Sequence, residues 1–310
     1  DQTSILGERP EGRDTTENLR RLAERGFNFR RAITQAPWTI PAFASVITGQ
    51  YPHEHGALVL DSKLGPAQVT LAEVLREAGY ETYGVVSHMF LQAYRGFAQG
   101  FDGYDESATS VPDIHRASSS GPVTDSALAF LGREHERPFF LFAHYFDPHY
   151  EYQDHAEWDF AGQYQGWFRD QLDFENLQKN ARLLGLDDRQ WLFDLYQEEL
   201  CHTDRHIGRL LDYLDQSGLA ETTVVVVVAD HGESLGEHGY YGHTINLDQE
   251  VLHVPLVIAP PKGHPIEPRE IDEVVETRML FGTLLGLLEV EWAGGVAPVG
   301  LGGSGWSLER

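Results

Sequence analysis

The chain has 310 residues, 41% of them hydrophobic, enough for one large α/β domain or two smaller ones with a substantial buried core. Its formal charge is −25, with lysine confined to Lys63, Lys179 and Lys262, so the surface repels nucleic acid and anionic membranes. No apolar run approaches the roughly 18 residues of a membrane span, and Cys201 is the only cysteine, which excludes an intrachain disulfide or a thiolate metal site.

An anionic substrate would need a local positive centre on so acidic a surface, and a bound metal is the obvious one. The chain opens on Asp1-Gln2-Thr3 rather than on a basic stretch before an apolar one, so no signal peptide is visible. Cytoplasmic residence and export both stay open. A pI near 4.8 with scarce lysine fits a salt-adapted organism, although a GC-rich genome also favours arginine.

Asp14-Thr15-Thr16 precede Leu19, Leu22 and Ala23, which predicts a capped amphipathic helix ending at Gly26. Leu71 to Ala78 reads as a second helix closed by Gly79, and Thr82 to Val86 as a short buried strand. Pro138 to Ala143 is a continuous apolar strand that ends in the polar cluster His144 to His149. Residues 151–191 are aromatic, polar and irregular, and read as an insertion over a site. Leu192 to Leu214 is helical, with Leu200, Ile207, Leu210, Leu211 and Leu214 at helical spacing. Thr222 to Ala229 carries a run of valines, the mark of a central strand buried on both faces, and leads into Asp230-His231-Gly232. His253 to Ala259 reads as another strand and Val274 to Leu288 as a last helix. The alternation predicts an α/β fold: a three-layer α/β/α arrangement around a central, mostly parallel sheet. Ligands then bind beyond the carboxyl ends of the strands, where the clusters after residues 143 and 229 fall.

Thr39 and Pro41 open a helix, and a hydroxyl there lies in the positive field that also attracts anions. Taken alone, such a threonine reads first as a plain N-cap. The longer stretch changes that balance. Thr39, Pro41, Thr48, Gly49, Tyr51, Pro52, His55 and Gly56 resemble the signature of the sulfatase family, in the alkaline-phosphatase superfamily. That signature runs Cys/Ser-x-Pro-Ser-Arg, then Thr-Gly-x-Tyr-Pro-x-x-His-Gly. Thr16 to Gly26 also resembles the family's TPNLDRLAAEG segment.

The departures are informative. Thr39 stands where the family has the cysteine or serine that becomes formylglycine, and Ala42-Phe43 replace Ser-Arg. Unmodified threonine nucleophiles occur in superfamily relatives that act on phosphorus, the nucleotide pyrophosphatases and phosphoethanolamine transferases. Asp230-His231 resembles the superfamily's second metal motif in its phosphatase form, where typical sulfatases have Asp-Asn and calcium. The resemblance thus implies a divalent ion held by Thr39, Asp230 and His231, with zinc or manganese favoured and calcium or magnesium admitted by the donors.

His243 falls where sulfatases carry a lysine and the phosphoethanolamine transferases a histidine, which assigns it to ester binding or leaving-group protonation. A surface-loop histidine is the competing reading. His149, in a segment resembling the family's Asp-Pro-His, is expected at the substrate anion, with Asp147 beside it in the substrate site and orienting it. His144 is equally read as a buried, hydrogen-bonded residue. Ser87 and His88 stand near the family's Gly-Lys-Trp-His and are expected to take over part of the missing lysine's anion contact. Glu233, His238, Asp204, His206 and His253 read as structural.

Family members begin with an apolar strand ending in metal-binding aspartate, and no such strand precedes residue 14; Asp1 aligns a few residues beyond it. Gly305 to Leu308 resembles the segment before the family's small C-terminal subdomain. The expectation is therefore a single catalytic domain over 1–310 without the first strand or that subdomain. Its expected activity is metal-dependent hydrolysis of phosphate mono- or diesters by Thr39, on a small-molecule, glycan or lipid ester. The alternatives are a sulfuric ester hydrolase, a phosphoethanolamine-type transferase, or a degenerate anion-binding domain without catalysis.

Overall fold

Phe27 and Phe29 alternate along an extended segment and are wholly buried, each worth about 1.5–3 kcal/mol of apolar transfer. They anchor a strand that the sequence pattern does not announce. The computed structural model describes residues 3, 12–110, 119–169, 173–265, 267–292, 294 and 299–301. Asp1 and Gly305 to Leu308, on which the reading of both chain ends rests, lie outside them.

The first part of the chain forms α1 (Glu17–Ala23), β1 (Phe27–Ile33), α2 (Thr39–Thr48), α3 (Pro52–His55), α4 (Leu71–Glu77), β2 (Glu81–Val85), β3 (Gly103–Asp105), α5 (Ser120–Leu131) and β4 (Phe139–Ala143). There follow α6 (Phe174–Asn180), α7 (Leu186–Ser217), β5 (Val225–Val228), β6 (Ser234–Leu235), β7 (Tyr241–Gly242), α8 (Gln249–Leu252), β8 (His253–Val254), β9 (Leu256–Ala259), β10 (Arg269–Glu276) and α9 (Leu280–Leu287).

The larger sheet has the order β10-β1-β9-β5, with β8 beside β1; the second is β3-β2-β4, and β6-β7 is a hairpin. β1 pairs parallel with β10, and β2 pairs parallel with both β3 and β4. β9 runs against β1 and β5, so β1, β5 and β10 share one direction. Val46 of α2 and Leu280 of α9 pack on one face of the larger sheet; Leu19 and Leu22 of α1 and Leu211 of α7 pack on the other. In the smaller sheet Phe142 meets Phe43 of α2, while Leu141 packs with Leu210 of α7 on one cluster that includes Val123 and Ala127 of α5. One helix layer therefore runs beneath both sheets and another above them, the expected three-layer α/β arrangement.

Four local expectations change. The valine strand lies at the end of the described order, not its centre, and Val225–Val228 are half-buried. Val274 to Glu276 belong to β10 and not to a helix, because Ile271 and Val275 face the core from a strand whose register slips opposite Phe29 and Arg31. The long helix is α7, running from Leu186, well ahead of Leu192. Thr16 makes no side-chain cap on α1; Asp204 of α7 supplies it, accepting from the amides of Asn18 (2.8 Å) and Leu19 (2.9 Å). Among the described residues no helix is long and apolar enough to cross a membrane.

The 151–191 segment has its own aromatic core. Tyr150, Tyr152, Phe168, Leu177 and Trp191 pack with Tyr241 of β7. The segment is thereby set against the hairpin that leads to His243.

Candidate active site

Four strands deliver their following loops to one end of the sheets. Residues 34–38 after β1 lead to Thr39, Ser87 and His88 follow β2, His144 to His149 follow β4, and Asp230-His231 follow β5. Two backbone constraints hold these loops together. Gly232 donates its amide to Val251 O at 2.7 Å, and a Cβ at Gly232 would stand 2.1 Å from Glu250 O, so only glycine allows the approach. Thr244 donates to Pro37 O at 2.9 Å, tying the loop of His243 to the one ahead of Thr39.

Thr39 is the first residue of α2 after the N-cap Trp38, and it is buried. Its Oγ1 lies 3.4 Å from His231 Nε2. Asp230 Oδ2 lies 3.4 Å from the same nitrogen. His231 Nδ1 is 2.9 Å from Gly232 O, which makes Nδ1 the protonated nitrogen and turns the Nε2 lone pair toward Thr39 and Asp230. Burial lowers the His231 pKa against the opposing pull of Asp230, so the ring is neutral at neutral pH.

These three groups fit a divalent ion. Donors each about 2.1 Å from a tetrahedral ion stand roughly 3.4 Å apart, and an imidazole, a carboxylate and a hydroxyl suit a borderline metal. Asp230, His231 and Thr39 would hold it.

The remaining predicted residues form a ladder of rings. His231 and His243 have centroids 4.1 Å apart, and His243 meets His149 at 5.1 Å. His149 stacks on Phe146 at 4.1 Å, and Phe146 on His88 at 4.5 Å. Thr39, His231, His243, His149 and His88 are thus brought together.

Ser87 and Asp147 have other work. The Ser87 hydroxyl donates to His144 O at 2.8 Å and lies 3.2 Å from His144 Nδ1, so it clamps His144 where a substrate contact was expected. Asp147 carries the start of α5, accepting from the amides of Ser119 (3.0 Å) and Ser120 (2.9 Å) and the Ser120 hydroxyl (2.6 Å). These bonds make Asp147 a cap on α5. Burial holds His144 down to about 4, a neutral residue edge-on to Phe43.

The environments of His149 and His243 drive them apart. Burial lowers the His149 pKa, the neighbouring His243 and His88 add to the shift, and its Nδ1 is engaged by Tyr150 O. Burial also pulls on His243, but the Glu233 carboxylate, 3.0 Å from His243 Nδ1, outweighs it with help from Asp230, and the pKa is raised. Glu233 is a positioning residue that sequence reading left as structural; its place between the Asp-His pair and His243 was the available signal. Glu199 of α7 was missed as well. Buried, it accepts the amides of His149 (3.3 Å) and Gln153 (3.0 Å), fixing the loop after β4.

The sulfatase family's sequence profile matches residues 4–290. The chain is 25% identical over 321 residues to the uncharacterized sulfatase YidJ of Escherichia coli, covering 89% of this chain and 63% of that protein. It is 23% identical over 338 residues to an N-acetylglucosamine-6-O-sulfatase of Bacteroides thetaiotaomicron, covering 80% of this chain and 59% of that one. The chain thus spans about three-fifths of the length of these curated relatives. The solved phosphonate monoester hydrolase of Silicibacter pomeroyi superposes with a TM-score of 0.78 at 21% identity, over 98% of this chain and 75% of that one. The chain belongs to the sulfatase family of the alkaline-phosphatase superfamily.

Proposed function

We propose that the chain is the catalytic domain of a metal-dependent hydrolase of phosphate mono- or diesters with Thr39 as nucleophile. The carrying observation is the Thr39 hydroxyl at 3.4 Å from the lone-pair nitrogen of His231, beside Asp230. An unmodified hydroxyl attacks phosphorus directly, with no prior oxidation of the side chain. The bound ion, proposed as zinc or manganese, supplies positive charge that stabilises the alkoxide and the ester oxygens.

Thr39 enters as the alkoxide, its proton lost to solvent beforehand, and Oγ1 bonds to phosphorus as the ester P–O bond breaks. The departing alcohol takes a proton from His243, whose Nδ1 is held by Glu233 and whose pKa that carboxylate raises. Water then attacks the phospho-threonine, breaking the Thr39 O–P bond. Neutral His149, with Nδ1 on Tyr150 O, offers Nε2 as acceptor for the water's proton. Two histidines with pKa values driven apart make an acid and a base from one residue type. The first helical turn of α2 faces the developing negative charge. The insertion at 151–191, packed beside the β6-β7 hairpin, selects the alcohol, from a small molecule, a glycan or a lipid.

A sulfuric ester hydrolase is the second reading, favoured by the activity in the name of the Bacteroides relative. Turnover of nitrophenyl phosphate, its diester and nitrophenyl sulfate, with added zinc or manganese, decides between them. The phosphate esters are expected to react faster; faster sulfate turnover overturns the proposal.

A further inference from the structure

Beyond His149 lies a second cluster that the hydrolytic site does not use. His155 and Glu157, in the irregular start of the insertion, meet His202 of α7, and one ligand atom of each lies within 4.8 Å of the other two. The rings of His155 and His202 stack at 4.1 Å. His155 Nε2 and His202 Nδ1 are buried and lack a hydrogen-bond partner. The facing carboxylate oxygens stand off, Glu199 at 3.7 Å from His155 and Glu157 at 3.8 Å from His202. Buried polar atoms left unpaired are costly and uncommon, and two adjacent imidazole nitrogens in that state call for an electrophilic partner.

We propose that His155, Glu157 and His202 form a second, non-catalytic metal site that takes one zinc-class divalent ion. Two imidazoles and a carboxylate are a donor set of the zinc type. Burial lowers the pKa of both histidines, which leaves their lone pairs available at neutral pH. The donors are spaced wider than the roughly 3.4 Å around a tetrahedral ion, so closure needs side-chain movement. The Glu157 side chain is 43% exposed and able to supply it, giving up its 2.8 Å pair with Arg205. The bound ion would staple the start of the insertion to α7. Glu199 would transmit that order, because it borders His155 and also accepts the amides of His149 and Gln153.

The test counts metal in chelator-stripped protein re-equilibrated with zinc and desalted, read by elemental analysis. Asp230→Asn with His231→Asn removes the proposed catalytic donors; that variant is expected to keep one zinc per chain, and adding His202→Asn is expected to remove it. Equal stoichiometry with and without His202, whether one or none, overturns the second site. Because these counts concern only the metal that remains without Asp230 and His231, they leave the Thr39 proposal untouched. Glu157→Gln, at an exposed side chain, provides the variant least disruptive to folding. In the Asp230/His231 background it is expected to weaken zinc affinity at least tenfold in a chelator competition; unchanged affinity overturns the assignment. Cobalt in the same background should give the visible absorption of a nitrogen-ligated four- or five-coordinate ion, and the spectrum of hexaaquo cobalt alone would refute it.

Discussion

Glu233 Oε1 lies 3.0 Å from Nδ1 of His243, and both side chains are buried. Burial alone would lower the pKa of this ring; the Glu233 carboxylate raises it instead, next to His231, whose pKa burial lowers. Glu233→Gln is therefore expected to lower kcat by about 10–100-fold, the usual scale for a positioning partner. The loss should be larger for alkyl esters than for nitrophenyl esters, whose leaving group needs no proton. An equal loss on both would remove His243 from the acid role.

Thr39→Ala is expected to lower kcat/KM about a thousandfold or more, and Thr39→Ser to retain most of the lost rate. Mass spectrometry of acid-quenched protein should find a phosphoryl group on Thr39. Unchanged turnover in the alanine variant would eliminate the nucleophile.

Stripping divalent ions with a chelator should abolish turnover, with zinc or manganese restoring it and calcium restoring less. Recovery best with calcium would contradict the ion proposed from the Asp230-His231 pair.

Gly232→Ala sets a Cβ 2.1 Å from Glu250 O and must shift the loop of His231. A destabilisation of about 2 kcal/mol or more is expected in urea melts, together with weaker metal affinity. Wild-type behaviour in both would mean that the loop tolerates the shift.

His55 is buried between Ser45 Oγ (3.1 Å) and the Ala57 amide (3.1 Å), and burial lowers its pKa to about 4. The unfolded chain titrates near 6.5, so between these values unfolding takes up a proton. Its contribution to stability is thus full above pH 6.5 and is lost as the pH falls toward 4. His55→Gln should flatten the decline in urea midpoint between pH 7 and 5; an unchanged slope would assign acid sensitivity elsewhere.

Much of the site was legible because motif residues follow apolar strands directly, as at Ala143-His144 and Val228-Ala229-Asp230. The strand β1 was not, since Arg30 and Arg31 interrupt its apolar pattern and Asn28 is buried among phenylalanines. β10 failed for a similar reason: charged residues and a register slip erase the alternation around Ile271 and Val275. Ser87 and Asp147 were placed at the substrate by position, whereas their hydrogen bonds depend on His144 and on α5, tertiary partners that spacing does not encode. The spacing from Glu233 to His243 likewise means nothing until the β6-β7 hairpin folds one back on the other.

The groups of the site have different owners. Thr39, Asp230 and His231 follow strands of the larger sheet, while Ser87, His88, His144 and His149 follow strands of the smaller one. His243 follows the β6-β7 hairpin and is tied to the larger sheet's side by the Thr244–Pro37 hydrogen bond, so its 5.1 Å meeting with His149 spans the seam between the two. A small splaying of one sheet from the other would part Thr39 from His149, the proposed nucleophile and proton acceptor, while leaving each sheet's hydrogen bonds intact. Activity is then a gauge of how tightly the two halves are closed, and should fade on warming before the secondary structure does.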